Sequence, residues 1–569
     1  MPNGKPGKIK LRYLAGDLTL ALAPGKRSGL LEGFEVEADE PYLDGPVSRR
    51  VAVVDIDAES GQLHPGARFI APLDLPGKTK GGYQVANVND HRARDFQQVS
   101  AFSTVLATMR LFEEPDVLGR KLRWAFDGEQ LLIVPRAGVL ANAYYERRSR
   151  SLQFFEFDGL FNDQQERVYT CLSPDIVAHE TAHAILDGIA PDLYDASSPQ
   201  ALALHEAIAD LTAMLFAVRS DRLRLWVMNL TRGDLTQSQA FNTIAEQFGQ
   251  ASSGRFRPLR DLHNDKTMAS VANKGPHALS EVLSGALYSF FLKAYAEERQ
   301  EALTGLDPAQ RGSEEAAFQV SGKALFLAGD KLKRMALRAL DYLPPGESSF
   351  ADYARAVIAA DSSSNPGSAW ERDFLMEECE RRGIVAHKDD LVWVKPDWEL
   401  PADLVLDDLL AHDSLAYRFA ENHRDRLFIP AGAPIKVLPR LDVTKTTWRR
   451  KSGKASFREL LFKVVWRESQ TVQFGNGLVD EIGVAQGTTL AIAWDTRAIN
   501  AVLTNGSLGP RAGSRDAREH RAMRAAYLQN LTERGIIGPD SGYVETVQGM
   551  TRLKRLGALL HMVGGSDDD

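Results

Sequence analysis

An α+β fold is predicted for this 569-residue chain by three observations. Short alternating runs of apolar and polar residues, broken by Gly and Pro, fill residues 1–94. Helical periodicity then takes over for more than two hundred residues, and strand-like runs return after about residue 386, ahead of further helix patterns. The length implies roughly two to four domains. The divisions expected are a β-rich N-terminal region (1–94), a central domain (95–385) and a C-terminal α/β module (386–569) of unknown role.

Taken in order, Ile9, Leu11 and Tyr13 alternate, as do Leu18, Leu20 and Leu22, with Gly16-Asp17 between them, which reads as a hairpin. VAVVDID and ARFIAPLDL continue the β reading, and from Phe96 to about Glu114 the pattern turns helical. EQLLIVPRAG is strand-like, and ANAYYERRSRSLQFFEF folds back as a hairpin around the charged turn at Arg147 to Arg150. Ser173-Pro174-Asp175 and Ser198-Pro199 each place an N-cap hydroxyl before a proline at the first helical position, where its missing N–H removes no helix hydrogen bond. Further helices are expected over Ala278 to Glu298, Ala317 to Tyr342, Phe350 to Ala360 and Ala369 to Arg382. In the last segment RLFIPA, FKVVWRES and TTLAIAWD read as strands, and Arg518 to Arg534 and Val544 to Val563 as helices.

Composition narrows the class of function. With 44% hydrophobic and 25% charged residues the chain is an ordinary globular one. A net charge of −8 argues against a nucleic-acid partner, and the basic run Thr446 to Lys454 reads as an exposed turn between strands. No apolar run approaches the roughly 18 residues of a membrane span, the best candidates being Leu211 to Val218 and Leu283 to Leu292. Two cysteines, Cys171 and Cys379, allow at most one disulfide and read as packed thiols. Asp17 interrupts the N-terminal apolar stretch, so no clear signal peptide is read and a cytoplasmic location is expected, with signal-independent export as the alternative.

The informative motif is HETAH, residues 179–183. His179 and His183 lie four apart on one helix face, so both imidazoles can aim at one zinc ion while Glu180 stands beside them to hold a water. A catalytic zinc needs a third protein ligand and an open position. The second capped helix, ALHEAIADLTAML, supplies Glu206 as that ligand, and Asp210 one turn on can accept a hydrogen bond from a ligand imidazole.

These residues resemble the thermolysin family of gluzincin metallopeptidases. Its pattern of DxxxHExxH followed by EAxxD is filled by Asp175, His179, Glu180, His183, Glu206 and Asp210, and Asp187, four residues past the second histidine, also matches. The resemblance covers about residues 95–385 and implies a zincin core with a β-rich upper lobe and a helical lower lobe. It gives Tyr194 and His277 (in ANKGPHALSEVLSGALY) the stabilisation of the developing oxyanion, and Glu180 the role of general base. Asn142 and Ala143 match the edge strand that pairs with substrate backbone, Arg260 an arginine that grips a substrate carbonyl, and Ile176 and Leu259 the lining of an apolar pocket following the scissile bond. Three departures stand out. The gap from His183 to Glu206 is longer by a loop around Asp192 to Ser198, Ala272 replaces the aspartate that orients the oxyanion histidine, and Ala217 replaces an expected glutamate, which leaves calcium doubtful.

The expected function is a zinc-dependent endopeptidase that cuts peptide or protein substrates N-terminal to apolar residues. The rival reading is a catalytically weak or inactive peptidase fold that serves as an interaction scaffold, favoured by Ala272 and by the unassigned terminal modules. Since every candidate ligand precedes residue 385, the C-terminal module is expected to be dispensable for metal binding. Oligomeric state is not encoded in any of these motifs.

Overall fold

The alternation of Ile9, Leu11 and Tyr13 builds β1 (Lys8–Leu14), which buries Ile9, Leu11 and Leu14 and exposes Lys8, Lys10 and Arg12. The computed structural model describes residues 7–16, 31–57, 59–73, 80–161, 164–235, 241, 243–244, 260–272, 274–311, 313–367, 369–449, 453–471, 481–537, 544–547 and 550–553. The partner of β1 is β2 (Leu31–Glu37), antiparallel with Leu11 opposite Phe34; the strand expected over Leu18 to Leu22 lies outside the described residues. With β3 (Val51–Val53), β4 (Phe69–Ile70) and β5 (Lys80–Tyr83) the N-terminal region is β-rich, and one sheet runs β2-β1-β5-β4.

The helix α1 (Arg94–Glu113) packs on β1 and is buried around most of its circumference. Beyond it, β6 (Leu131–Val134), β7 (Ala143–Glu146) and β8 (Ser151–Phe154) join β3 in a second sheet of order β3-β6-β8-β7. This sheet crosses the expected boundary at residue 94, and among the described residues β7 is one of its two edge strands. The β7–β8 hairpin turns at Arg147 to Arg150 as the sequence predicts, with Glu146 opposite Ser151. A further hairpin, β9 (Glu156–Phe161) with β10 (Gln164–Tyr169), leads to the helical half.

That half contains α2 (Pro174–Ile189), α3 (Pro191–Tyr194), α4 (Pro199–Arg219) and α5 (Asp221–Thr231), then the two-residue strands β11 (Thr243–Ile244) and β12 (Arg260–Asp261). It ends with α6 (Pro276–Thr304), α7 (Glu314–Arg338), α8 (Phe350–Ser364) and α9 (Trp370–Arg381). Both proline-marked starts are observed with Ser173 and Ser198 at the N-cap position, but neither hydroxyl makes the expected capping hydrogen bond; Ser198 Oγ lies 3.3 Å from His520 Nδ1 instead. Helix α4 lies between α2 and α6. Its alanines at 201, 203, 207, 209 and 213 are buried and let its neighbours approach closely. By length and composition α4 is apolar enough to cross a membrane, which counting uninterrupted apolar residues missed; nearly all of it is buried inside the protein, as a core helix is. A cluster of Glu114, Asp116 and Asp330 has its counter-charge within the chain. Lys333 reaches all three carboxylates, with Asp116 at 3.2 Å and Asp330 at 2.8 Å, and Arg219 bonds Glu114 at 2.5 Å.

The C-terminal residues form α10 (Leu406–Ala411), α11 (Asp413–Asn422), β13 (Lys436–Val437), β14 (Leu441–Arg449), β15 (Gly453–Thr471), β16 (Glu481–Ala493), β17 (Ile499–Thr504), α12 (Arg515–Glu533), β18 (Val544–Val547) and β19 (Met550–Leu553). FKVVWRES and TTLAIAWD fall on β15 and β16 as expected. Two expectations fail. RLFIPA is a turn, not a strand: Phe428 has φ 57°, and the Leu427 carbonyl accepts from Thr488 Oγ1 at 2.6 Å. Val544 to Val547 and Met550 to Leu553 are strands in place of a helix; β-branched Val and Thr suit an edge that pairs with β16, Ile482 opposite Thr551.

The C-terminal sheet is buried on both faces, with side chains alternating between two cores. Leu460, Phe462, Val464 and Trp466 pack with α10 and α11, whereas Leu461, Val443, Val484 and Ala491 join the core that also holds Ile9, Val177 and Leu287. Chain segments on both sides of residue 386 therefore share one hydrophobic core. The polar groups of the inward face dock on the turn after α7. Lys445 Nζ lies 3.1 Å from Asp341 Oδ2, and Lys463 Nζ donates to the Leu343 carbonyl at 2.9 Å. A chain of residues 1–390 would expose this core face and strip Asp341 of two cations, so it is expected to be insoluble or to melt without cooperativity. Light scattering and a thermal melt check this; a soluble fragment with a sharp transition would show that the C-terminal residues are not needed for folding.

Candidate metal centre

Helices α2 and α4 pack side by side, and their facing turns bring four titratable side chains to one buried point. His179 Nε2 and His183 Nε2 lie 2.9 Å apart. The Glu206 carboxylate reaches both, at 3.6 Å from His179 and 3.5 Å from His183. Three ligand atoms around a tetrahedral zinc at about 2.0–2.1 Å stand about 3.3 Å from one another, close to the three separations found here.

The histidine partners decide where the lone pairs point. His179 Nδ1 lies 2.9 Å from Asp210 Oδ1; with the proton on Nδ1, facing a carboxylate that can only accept, Nε2 offers its lone pair to the cluster. His183 Nδ1 lies 2.6 Å from Nδ1 of His205, whose ring stacks on it at a 4.6 Å centroid distance. With the proton on His183 Nδ1, its Nε2 also faces the cluster as an acceptor. Two imidazole lone pairs and a carboxylate converging in a buried place repel one another unless a cation sits among them. The buried group His179, Glu180 and His183 is thus able to hold a metal ion.

Glu180 is buried beside the histidines, and its Oε2 accepts the backbone N–H of Tyr145 at 3.0 Å. This bond ties the edge strand β7 to α2. Asp187 does not touch the imidazoles. Fully buried, it accepts from Tyr145 OH at 2.8 Å and from Arg147 Nε at 2.7 Å, and Arg147 Nη1 also reaches Asp195 at 2.6 Å. Its place is to hold the strand that holds Glu180. The thiol of Cys171 lies buried with its pKa pushed up to about 12 by burial, so it behaves as a packed apolar group; Cys379 is likewise free and buried.

The remaining expected residues divide. His277, in the first turn of α6, comes to the mouth of the cluster with Nε2 3.5 Å from Glu206 Oε2 and its side chain 33% exposed. Ala272 is exposed at the end of a short 3-10 turn. Tyr194, on α3, is buried: its ring packs edge-on to Tyr145 and His205 and lies under the Arg147 guanidinium at 4.5 Å, and burial raises its phenol pKa. Asn142 leads into β7, its Oδ1 accepting the Ala143 N–H at 2.8 Å. Ile176 is buried on α2 one turn before His179. Leu259 lies outside the described residues, as does the side chain of Arg260, whose backbone forms β12.

Sequence reasoning missed three contributors. His205 stands beside Glu206 on α4, and a histidine next to a candidate ligand on an otherwise largely apolar helix is a readable signal. Arg147 was read only as a turn residue, and the Tyr145 N–H is a backbone group that no motif announces. No protein-family model and no curated protein matches this chain.

Proposed function

We propose that the chain is a zinc-dependent endopeptidase of the thermolysin-like gluzincin kind, with its zincin core within residues 95–385. The observation that carries this reading is the closure of His179, His183 and Glu206 around one point, with Glu180 held beside it by an N–H of the edge strand β7. Zinc, when bound there, supplies Lewis acidity to the scissile carbonyl and brings the pKa of water down to about 7.

The protein groups then divide the work. Glu180 takes the proton of the attacking water and passes it to the leaving amine; its Tyr145 contact holds the carboxylate in one orientation for both transfers. An extended substrate adds to the edge strand β7 as a strand adds to a sheet, the Ala143 N–H exchanging its bond to Asn142 Oδ1 for one to the substrate backbone. His277, partly open to solvent at the mouth of the cluster, donates to the oxyanion as negative charge develops, and the phenol of Tyr194 is kept protonated for the same purpose. His277→Ala is therefore expected to lower kcat by about 10²–10³-fold with metal content unchanged. Steady-state kinetics with elemental analysis checks this, and an unchanged kcat would remove His277 from the mechanism.

In this reading Ile176 lines the pocket for the substrate side chain just after the cut, a role the family resemblance also gives to Leu259. Burying a large apolar side chain contributes roughly 1.5–3 kcal/mol relative to exposure, so cleavage is expected N-terminal to Leu, Ile, Val or Phe by more than tenfold over charged residues. The test is metal analysis of the purified chain together with mass-spectrometric mapping of cuts in an unbiased peptide library. About one zinc per chain with cuts before apolar residues supports the proposal. Zinc without any cut in the library would favour the scaffold reading instead, and a preference for charged residues would overturn the pocket assignment.

A further inference from the structure

We propose that the C-terminal part carries a second binding site, for a free polar α-amino acid, in a cavity of about 370 Å³ between the start of α8, the sheet β15–β17 and the first turns of α12. None of the metal-centre residues lines it. Its volume falls within the roughly 300–1,000 Å³ of small-ligand pockets and far exceeds the about 30 Å³ of one water.

Most polar groups of its wall already have partners. Arg355 Nη2 donates to Asp516 Oδ2 at 2.9 Å, and Arg524 is shared between Glu347 at 3.0 Å and His520 at 3.0 Å. Glu468 Oε1 accepts from Trp466 Nε1 at 2.8 Å and from the Ser507 N–H at 3.1 Å. Three groups stand apart. The second oxygen of Asp516, a residue only 6% exposed, and the side-chain oxygen of Gln486 are buried acceptors with no donor. Arg521 donates to the Ala512 carbonyl at 3.2 Å and has no carboxylate partner among the described residues.

Buried acceptors seldom go without donors, and a charged one least of all. Two acceptors and one arginine on the same wall match an ammonium and a carboxylate carried by one molecule. A divalent cation alone would find too few oxygens, since calcium takes six to eight. An anion alone would sit against the Asp516 carboxylate with nothing to offer it. Most of the residues that line it are polar, Thr504 and Asn505 among them, so a polar side chain finds hydrogen-bond partners there.

Calorimetric titration of the full-length chain with L-glutamine and L-serine tests this. One-to-one saturable binding is expected, weakened about tenfold or more in N-acetyl-L-glutamine, which lacks the ammonium, and in L-glutaminamide, which lacks the carboxylate. Arg521→Ala, at an exposed position that leaves the fold intact, and Asp516→Asn are each expected to weaken binding by about tenfold. If Asp516→Asn fails to fold, the Arg521→Ala result decides. Absence of saturable heat with both amino acids, equal binding of the N-acetyl compound, or unchanged affinity in Arg521→Ala would each overturn the proposal and leave the cavity to water.

Discussion

Replacing Glu180 by Gln is expected to leave about one metal ion per chain and to lower peptide hydrolysis by about 10²–10⁴-fold, the range that a positioned general base supplies. Gln keeps the shape of the side chain and an oxygen to accept the Tyr145 N–H, so the contact between α2 and β7 survives. What it loses is the ability to take a proton. In the proposed centre His179, His183 and Glu206 are the ligands, and the two imidazoles keep their own neighbours in Asp210 and His205. Parallel metal analysis and single-turnover hydrolysis of the variant separate the two effects. Loss of the metal in Glu180→Gln would make Glu180 a ligand, which its place in the same buried group makes a meaningful alternative outcome. Unchanged turnover would remove it from the chemistry altogether.

The largest effect on stability is expected at Asp341, far from that chemistry. Its side chain is fully buried and meets Arg120 at 2.7 Å and Lys445 at 3.1 Å, with Lys463 close by. Although burial pushes its pKa up, Arg120, Lys445 and Lys463 together outweigh that and hold the carboxyl well below the ordinary carboxylate range. Burial brings Lys463 down to about 8, so its charge is present at neutral pH and fades above that value. Asp341→Asn keeps the volume and removes the counter-charge of two buried lysines. Breaking a buried pair in this way costs about 3–5 kcal/mol. Denaturant unfolding of both proteins at pH 7 measures the difference. Because the folded pKa of Asp341 is lowered, its stabilisation is complete above about 3.9, the unfolded value, and is lost as pH falls toward the folded one. The gap between native and variant should therefore narrow on acidification below about pH 4. A variant as stable as the native chain at pH 7 would show that the cluster does not hold the C-terminal sheet in place.

Much of this protein is legible in its sequence wherever the cause is local. The proline-marked helix starts at Ser173 and Ser198, the amphipathic period of α7 and α8 and the alternation of Leu460, Phe462, Val464 and Trp466 along β15 depend only on neighbours a few residues away, and the structure has them where the pattern puts them. So does the facing of His179 with His183 and of Glu206 with Asp210, each pair one turn apart. What only the tertiary structure decided is which of these faces meet. His277 reaches Glu206 across 71 residues, the N–H of Tyr145 reaches Glu180 from a sheet edge, and Lys445 enters the core of a helical half that ends sixty residues before it. The segment from Val544 shows the same limit from the other side: its apolar spacing suits a helix, yet the open edge of β16 offers backbone partners, and its β-branched residues settle there as strands. Periodicity specifies which side of an element is apolar. It carries no information about the element that will cover that side, because the covering contact is made by a chain segment whose distance along the sequence leaves no mark in the local pattern.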